Sequence, residues 1–163
     1  MPKLIIFVAL ACVLSALPGT GYPVEGSGQG QILDPAVHNV TRLQPLRFGS
    51  ETDNSSLEPR EYRLKVGQGY RLKIHATPGA EYAFVAPAFF RNIWIRKIEA
   101  GDVEIKSATL DEIEFENGGE AELFFVVVRP GTYDYGSKGM MERGVVGKII
   151  VESPHGLSEE SSK

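Results

Sequence analysis

ELFFVVVRPGTYDYGSKGMMERGVVGKIIV, residues 122–151, carries the reading that decides the fold. It opens on an apolar run, Glu122 to Val128, of the length and composition of a strand buried on both faces. Pro130-Gly131 ends that run, and VVGKIIV supplies a closing strand. Upstream, the pattern alternates. EYRLKV (61–66) sets Tyr62, Leu64 and Val66 on one face, Gly67-Gln68-Gly69 reads as a hairpin turn, and YRLKI (70–74) alternates again. Pro78-Gly79 turns the chain into EYAFV, and NIWIRKI (92–98) is β-branched and aromatic until Ala100-Gly101-Asp102 breaks it. DEIEFE places Ile113 and Phe115 on one face, and Asn117-Gly118-Gly119 turns the chain once more. Frequent turns between short strands, with no sustained helical period, predict an all-β protein: a Greek-key antiparallel β-sandwich. Leu72, Ile74, Phe115, Val126, Val128 and Ile149 are its expected core, and Trp94, Phe89, Phe90, Phe124, Phe125, Tyr133 and Tyr135 read as core aromatics. A short helix is expected over Pro87–Arg91. On these grounds alone an immunoglobulin-like sandwich stays open.

The ends read differently. Residues 1–21 have the form of an export signal: Lys3, an apolar run from Leu4 to Leu17, then Pro18-Gly19-Thr20-Gly21. That run is too short for a typical membrane span, and no later stretch approaches one. The expectation is an exported protein, periplasmic or secreted, with no membrane span after signal removal. Cys12, the one cysteine, lies inside the signal, so the expected mature chain has neither disulfide nor thiolate. Removing Lys3 with the signal moves the formal charge from −4 to about −5. A mildly acidic domain without a basic tract argues against nucleic acid as a partner. Residues 22–60 read as an irregular N-terminal segment in which VHNVTRLQPLRF offers an edge strand. Residues 61–152 read as the domain and 153–163 as a disordered tail. Asn39-Val40-Thr41 and Asn54-Ser55-Ser56 match glycosylation acceptors.

Two segments carry a family resemblance. In GTYDYGSKGMMERGVVGKIIV (131–151), Tyr133, Gly144, Gly147, Lys148 and Val151 stand, without a gap, where the copper-binding loop of the cupredoxins has the same residues. EYAFVAPAFFRNIWIRKIE (81–99) is similar to the region around the first His ligand of exported bacterial cupredoxins, roughly His-x-Phe-x-x-Pro-x-Phe-Phe, through Phe84, Pro87, Phe89 and Phe90. The chain thus resembles the plastocyanin and azurin family over roughly residues 62–151. The resemblance implies a cupredoxin-like sandwich with a type 1 copper site at one end. At the four ligand positions it assigns, this chain has Tyr82 for His, Ser137 for Cys, Met140 for His and Val145 for Met.

Blue copper needs a thiolate and two imidazoles in a plane, with a weak axial thioether. A serine hydroxyl is a poor ligand for a soft ion, a phenol ligates only as phenolate, with a pKa of about 10, and valine offers nothing. The expectation is a degenerate site with no cofactor and no electron transfer. The family-type copper-binding, electron-transfer role remains an alternative. A further alternative is a copper-handling protein holding Cu(I) through Met140 and Met141, with His38 or His75. Among the remaining residues nothing assembles an enzyme: Ser137 has no His or Asp placed near it by sequence, and Gly67-x-Gly69 lacks a following helix. The reading left is a binding or interaction module whose protein partner docks at the degenerate copper end, on an apolar patch of Phe89, Phe90, Met140, Met141, Val145 and Val146.

Overall fold

Alternating side chains build the large sheet of the computed structural model, which describes residues 39–153. The residues read as an export signal, with Cys12, the segment up to His38, and the residues read as a tail, with His155, lie outside those described. Three short strands come first: β1 (Thr41–Arg42), β2 (Leu46–Phe48) and β3 (Leu57–Glu58). They are followed by β4 (Glu61–Lys65), β5 (Gly69–Ala76), β6 (Tyr82–Val85), the helix α1 (Pro87–Phe90), β7 (Ile93–Ala100), β8 (Val103–Ile105) and β9 (Glu112–Phe115). β10 (Gly119–Val127), β11 (Gly131–Tyr135), the helix α2 (Lys138–Glu142) and β12 (Gly147–Glu152) complete the described chain. One sheet runs β3-β2-β5-β10-β7-β8, with β1 also beside β5. A second runs β11-β12-β4, and β6 pairs with β9. A bridge between Val85 and Gly136, with N–H···O distances of 2.9 and 3.1 Å, ties that ribbon to the end of β11. Neighbours out of chain order are what a Greek-key sandwich requires.

The core is the expected one in most respects. Leu72, Ile74, Phe115 and Ile149 are buried, and Leu123, Phe125 and Val127 of β10 join them. Five expectations are corrected. The run 122–128 is not buried on both faces: Phe124 and Val126 are half-buried and Val128 is exposed. Among the described residues no second layer covers the outer face. Instead the Arg71 guanidinium lies 5.5 Å and the Lys97 ammonium 4.6 Å from the centre of the Phe124 ring, so charged side chains cover it. On the same face Trp94, opposite Val126, is 52 % exposed rather than core. The turn at Gly67-Gln68 closes no hairpin. β4 pairs with β12 and β5 with β10, so the chain crosses there from one sheet to the other, with Gly67 at φ 80° and its N–H bonded to Val127 O at 2.8 Å. Finally, β1 and β2 fall in the stretch read as an edge strand, but β2 lies inside the sheet between β3 and β5, Leu46 and Phe48 sit fully buried in the core, and β3 comes from residues expected to be irregular. With β4–β12, β1–β5 and β2–β5 parallel, the sheets are mixed rather than wholly antiparallel.

Two glycines explain why 131–151 is written as it is. Gly144, at φ 80°, is the left-handed residue that ends α2. Gly147 lies under the ring of Tyr135, where any Cβ would overlap it.

Candidate functional site

The Val85–Gly136 bridge sets the start of β6 beside the entry to α2. Ser137 is the residue before α2, in extended conformation. Its hydroxyl oxygen does not cap the helix but accepts the Ala83 N–H at 3.1 Å, across 54 residues of chain. Tyr82, buried next to it, donates its hydroxyl to Asn54 O at 3.0 Å. Met140, on α2, is buried, and its carbonyl accepts the N–H of Val145 at 2.9 Å. Tyr82, Ser137 and Met140 together line one cavity of about 210 Å³, whose rim carries Asn54, Glu81 and Arg143. Three of the four positions assigned by resemblance are therefore brought together. Val145 does not line the cavity; it packs half-buried against the core.

The chemistry of these groups follows from their surroundings. Burial, with Asp53 nearby, raises the Tyr82 pKa above its ordinary value, which keeps the phenol protonated and disfavours phenolate ligation. At the rim, Glu81 shares a hydrogen bond with Glu114, and that contact with the adjacent negative charge holds the Glu81 carboxyl above the ordinary range, against a smaller opposing pull from Lys138. Lys138 itself is paired with Glu112 at 2.8 Å. Arg143 reaches 3.5 Å from the Ser55 hydroxyl. A neutral phenol, a hydroxyl already engaged with backbone and one thioether do not supply the thiolate and imidazoles of type 1 copper. The donor set does not fit that metal.

Other sequence candidates separate in space. Met141 follows Met140 on a helix, where successive side chains point about 100° apart. Met140 lines the cavity, whereas Met141 lies against Gly136, its Cγ 2.6 Å from where a Cβ would stand. His75 is on β5, its Nδ1 2.6 Å from a Glu120 carboxylate oxygen, and does not line this cavity. His38 lies outside the described residues. Among the described residues no three His, Cys, Asp or Glu side chains cluster as a metal site. The expected docking patch is also redrawn. α1 turns Phe89 and Phe90 inward, Phe89 packing edge-on to Phe125 at 5.4 Å and Phe90 to Phe84 at 5.3 Å. With Met140 buried too, only Met141, Val145 and Val146 remain partly accessible. Of the rim residues, Glu81 and Arg143 were not singled out by sequence reasoning, and Asn54 was singled out only as a glycosylation acceptor. They meet only because the loop between β2 and β3 folds across the end of β6, which no local pattern signals.

No family model matches the sequence, and no curated relative matches it either. Solved structures do. A multi-copper oxidase from Pediococcus acidilactici aligns with 77 % of this chain at 12 % identity and a TM-score of 0.54. A multicopper oxidase from Campylobacter jejuni aligns with 69 % of the chain (12 % identity, TM-score 0.47) and a copper nitrite reductase from Nitrosomonas europaea with 55 % (16 % identity, TM-score 0.44). The chain spans 29 %, 30 % and 32 % of those three proteins. Among the described residues no helix is long and apolar enough to cross a membrane. At 12 % identity the likeness to the Pediococcus acidilactici protein is one of fold alone: the chain has a cupredoxin-like fold.

Proposed function

We propose that this is an exported cupredoxin-like domain that has given up the blue-copper ligands and works as a binding module, not as an enzyme or electron carrier. The observation that carries this reading is the convergence of Tyr82, Ser137 and Met140 on one cavity with their polar groups already hydrogen-bonded within the fold. The partner is a protein that engages this end of the sandwich through the exposed rim around Glu81, Gly139 and Arg143, with Met141, Val145 and Val146 at its side. The apolar share of that surface is small, so recognition rests on polar contacts, which fix register and specificity.

Two measurements test the reading. Purified mature protein titrated with Cu(II) is expected to show no intense visible charge-transfer band, and Cu(I) competition is expected to show no stoichiometric site. A single tight Cu(I) site that disappears in Met140→Leu/Met141→Leu would overturn the proposal, because leucine keeps the volume and the fold. A photo-crosslinking residue at Glu81 or Gly139 is expected to capture one defined partner from the exported fraction of the source cell. The same residue at Gln68, at the opposite end of β5, should not, and Arg143→Glu should diminish the capture. Equal capture from both ends would count against a partner site here.

A further inference from the structure

The sandwich carries its charge unevenly between its two ends. At the cavity end stand Asp53, Glu81, Glu114 and Glu142, against Arg143 and Lys138. At the other end β4, β10 and β12 finish and β7 begins. Gly67 N–H bonds to Val127 O at 2.8 Å, Val66 N–H to Glu152 O at 3.1 Å and Val128 N–H to Asn92 O at 3.0 Å, and these bonds hold that end together. Lys65, Arg91 and Arg129 are exposed there, and Arg96 is half-buried on β7 close by. None of these four cations has an ion-pair partner among the described residues. Of the nearby acids, Glu152 lies 3.8 Å from Arg63, and Asp111 shares a surface cavity with Arg91 without pairing to it.

Beside these cations the outer face of the large sheet is bare and apolar. Trp94 is 52 % exposed and Val128 55 %. Trp94 lies opposite Val126 on β10, and the neighbour of Val126 on β5 is Gly69, which has no side chain to cover the strip. The Trp94 indole N–H has no acceptor among the described residues. An indole with an apolar body and a free N–H suits the boundary between headgroups and acyl chains, where the ring is buried and the N–H stays wet. The unpaired cations complement a layer of negative charge. They sit on separate elements (the end of β4, the end of α1, β7 and the turn after β10) rather than along one groove. A fluid headgroup layer meets such spaced charges together, whereas a peptide needs them in line. The chain as a whole is acidic, at −4, so the separation of charge between the ends sets the orientation.

We propose that this end of the sandwich docks on an anionic phospholipid surface, with Trp94 and Val128 entering the headgroup layer and Lys65, Arg91, Arg96 and Arg129 meeting lipid phosphates. The cavity, at the opposite end, then faces away from the membrane. This surface is separate from the cavity rim, and either can fail without the other. Contact is peripheral and reversible, because two apolar side chains bury little area.

Trp94 is the only tryptophan of the chain, so its fluorescence reports on this surface alone. The exported chain is titrated with vesicles of phosphatidylcholine, with and without an equal part of phosphatidylglycerol. The emission is expected to move to the blue with the anionic vesicles only, and to return in about 0.5 M salt, which screens surface charge. Lys65→Glu combined with Arg129→Glu should weaken binding roughly tenfold or more. Val128→Asp should weaken it too, by placing a charge where an apolar side chain enters. These three positions are exposed, and circular dichroism checks that each variant keeps the fold. Emission unmoved by anionic vesicles, an equal response to both vesicle types, or binding indifferent to the variants would each overturn the proposal. An equal shift with polyglutamate would assign the surface to an acidic protein, and a shift with protein concentration alone would assign it to a second copy; either result overturns the lipid reading.

Discussion

Gly147 and Tyr135 are partners across β11 and β12, and the phenol ring lies flat over the glycine. Adding a methyl group there, as in Gly147→Ala, would put a carbon 2.5 Å from Cε1, 2.6 Å from Oη and closer still to Cζ. Either the ring or β12 must move. The ring has nowhere to go: Tyr135 is fully buried, tilted against Tyr62 at 5.7 Å, edge-on to Phe84 at 6.2 Å, and its hydroxyl donates to Pro59 O. Forcing an extra carbon into such a site costs about 1–3 kcal/mol. Pulling the hydroxyl off a buried acceptor adds about 1 kcal/mol. The expected loss is therefore about 2–4 kcal/mol, a substantial part of the 5–15 kcal/mol by which roughly any domain is stable. In a domain of this size it should lower Tm by roughly 8–15 °C. Thermal and urea unfolding followed by far-UV circular dichroism would measure it. The same substitution in a Tyr135→Leu background, where the ring is gone, should cost less than about half as much, since the two positions couple through the overlap. A Tm within about 2 °C of wild type, or an equal cost in both backgrounds, would refute the packing argument.

Two further outcomes follow from the titrating groups. Burial raises the phenol pKa of Tyr62 and Tyr135 far above the ordinary value, and those of Tyr70, Tyr82 and Tyr133 in the same direction. The folded state keeps protons that the unfolded chain releases above about pH 10, so stability should be intact below that pH and fall as pH rises past it. Phenolate absorbance from the buried tyrosines should then appear together with loss of the far-UV signal; full titration near the ordinary value with the fold intact would contradict their burial. At the acid side, the Arg71 guanidinium holds Glu122 through two contacts of 2.6 Å and keeps its carboxyl below the ordinary carboxylate range. That contribution is present above the unfolded pKa and is lost as pH falls through the lowered one. Arg71→Met should cost no more than about 1 kcal/mol near neutral pH and nothing in acid, by urea unfolding at both; a constant cost at both pH values would assign the effect to packing over Phe124 instead.

Much of this architecture was legible residue by residue. Alternation in 61–66, 70–74 and 111–116 marks strands because a pleated backbone sends successive side chains to opposite faces, a property each strand carries alone. Pro87 announced the short helix α1, which begins there because proline needs no N–H in a first turn. Helix α2 went unforeseen, since five residues are too few to display a helical period. The glycines at 144 and 147 were visible as a pattern, but only the structure shows that one ends α2 and the other makes room for Tyr135. What a turn leads to is not a local property. Gly67-Gln68 turns the chain equally well into a hairpin or across to another sheet, and which occurs depends on the partners waiting for β4 and β5. Composition alone likewise could not place Phe124, Val126 and Trp94 on an outer face, because burial depends on whether another layer arrives. The site follows the same division. Sequence names Tyr82, Ser137 and Met140 and the chemistry each side chain can offer. Tertiary structure decides that they meet, that the Ala83 N–H occupies the Ser137 oxygen, and that a loop from residues 49–56 walls the cavity, since chain segments far apart in sequence are joined only by the burial of the faces they share.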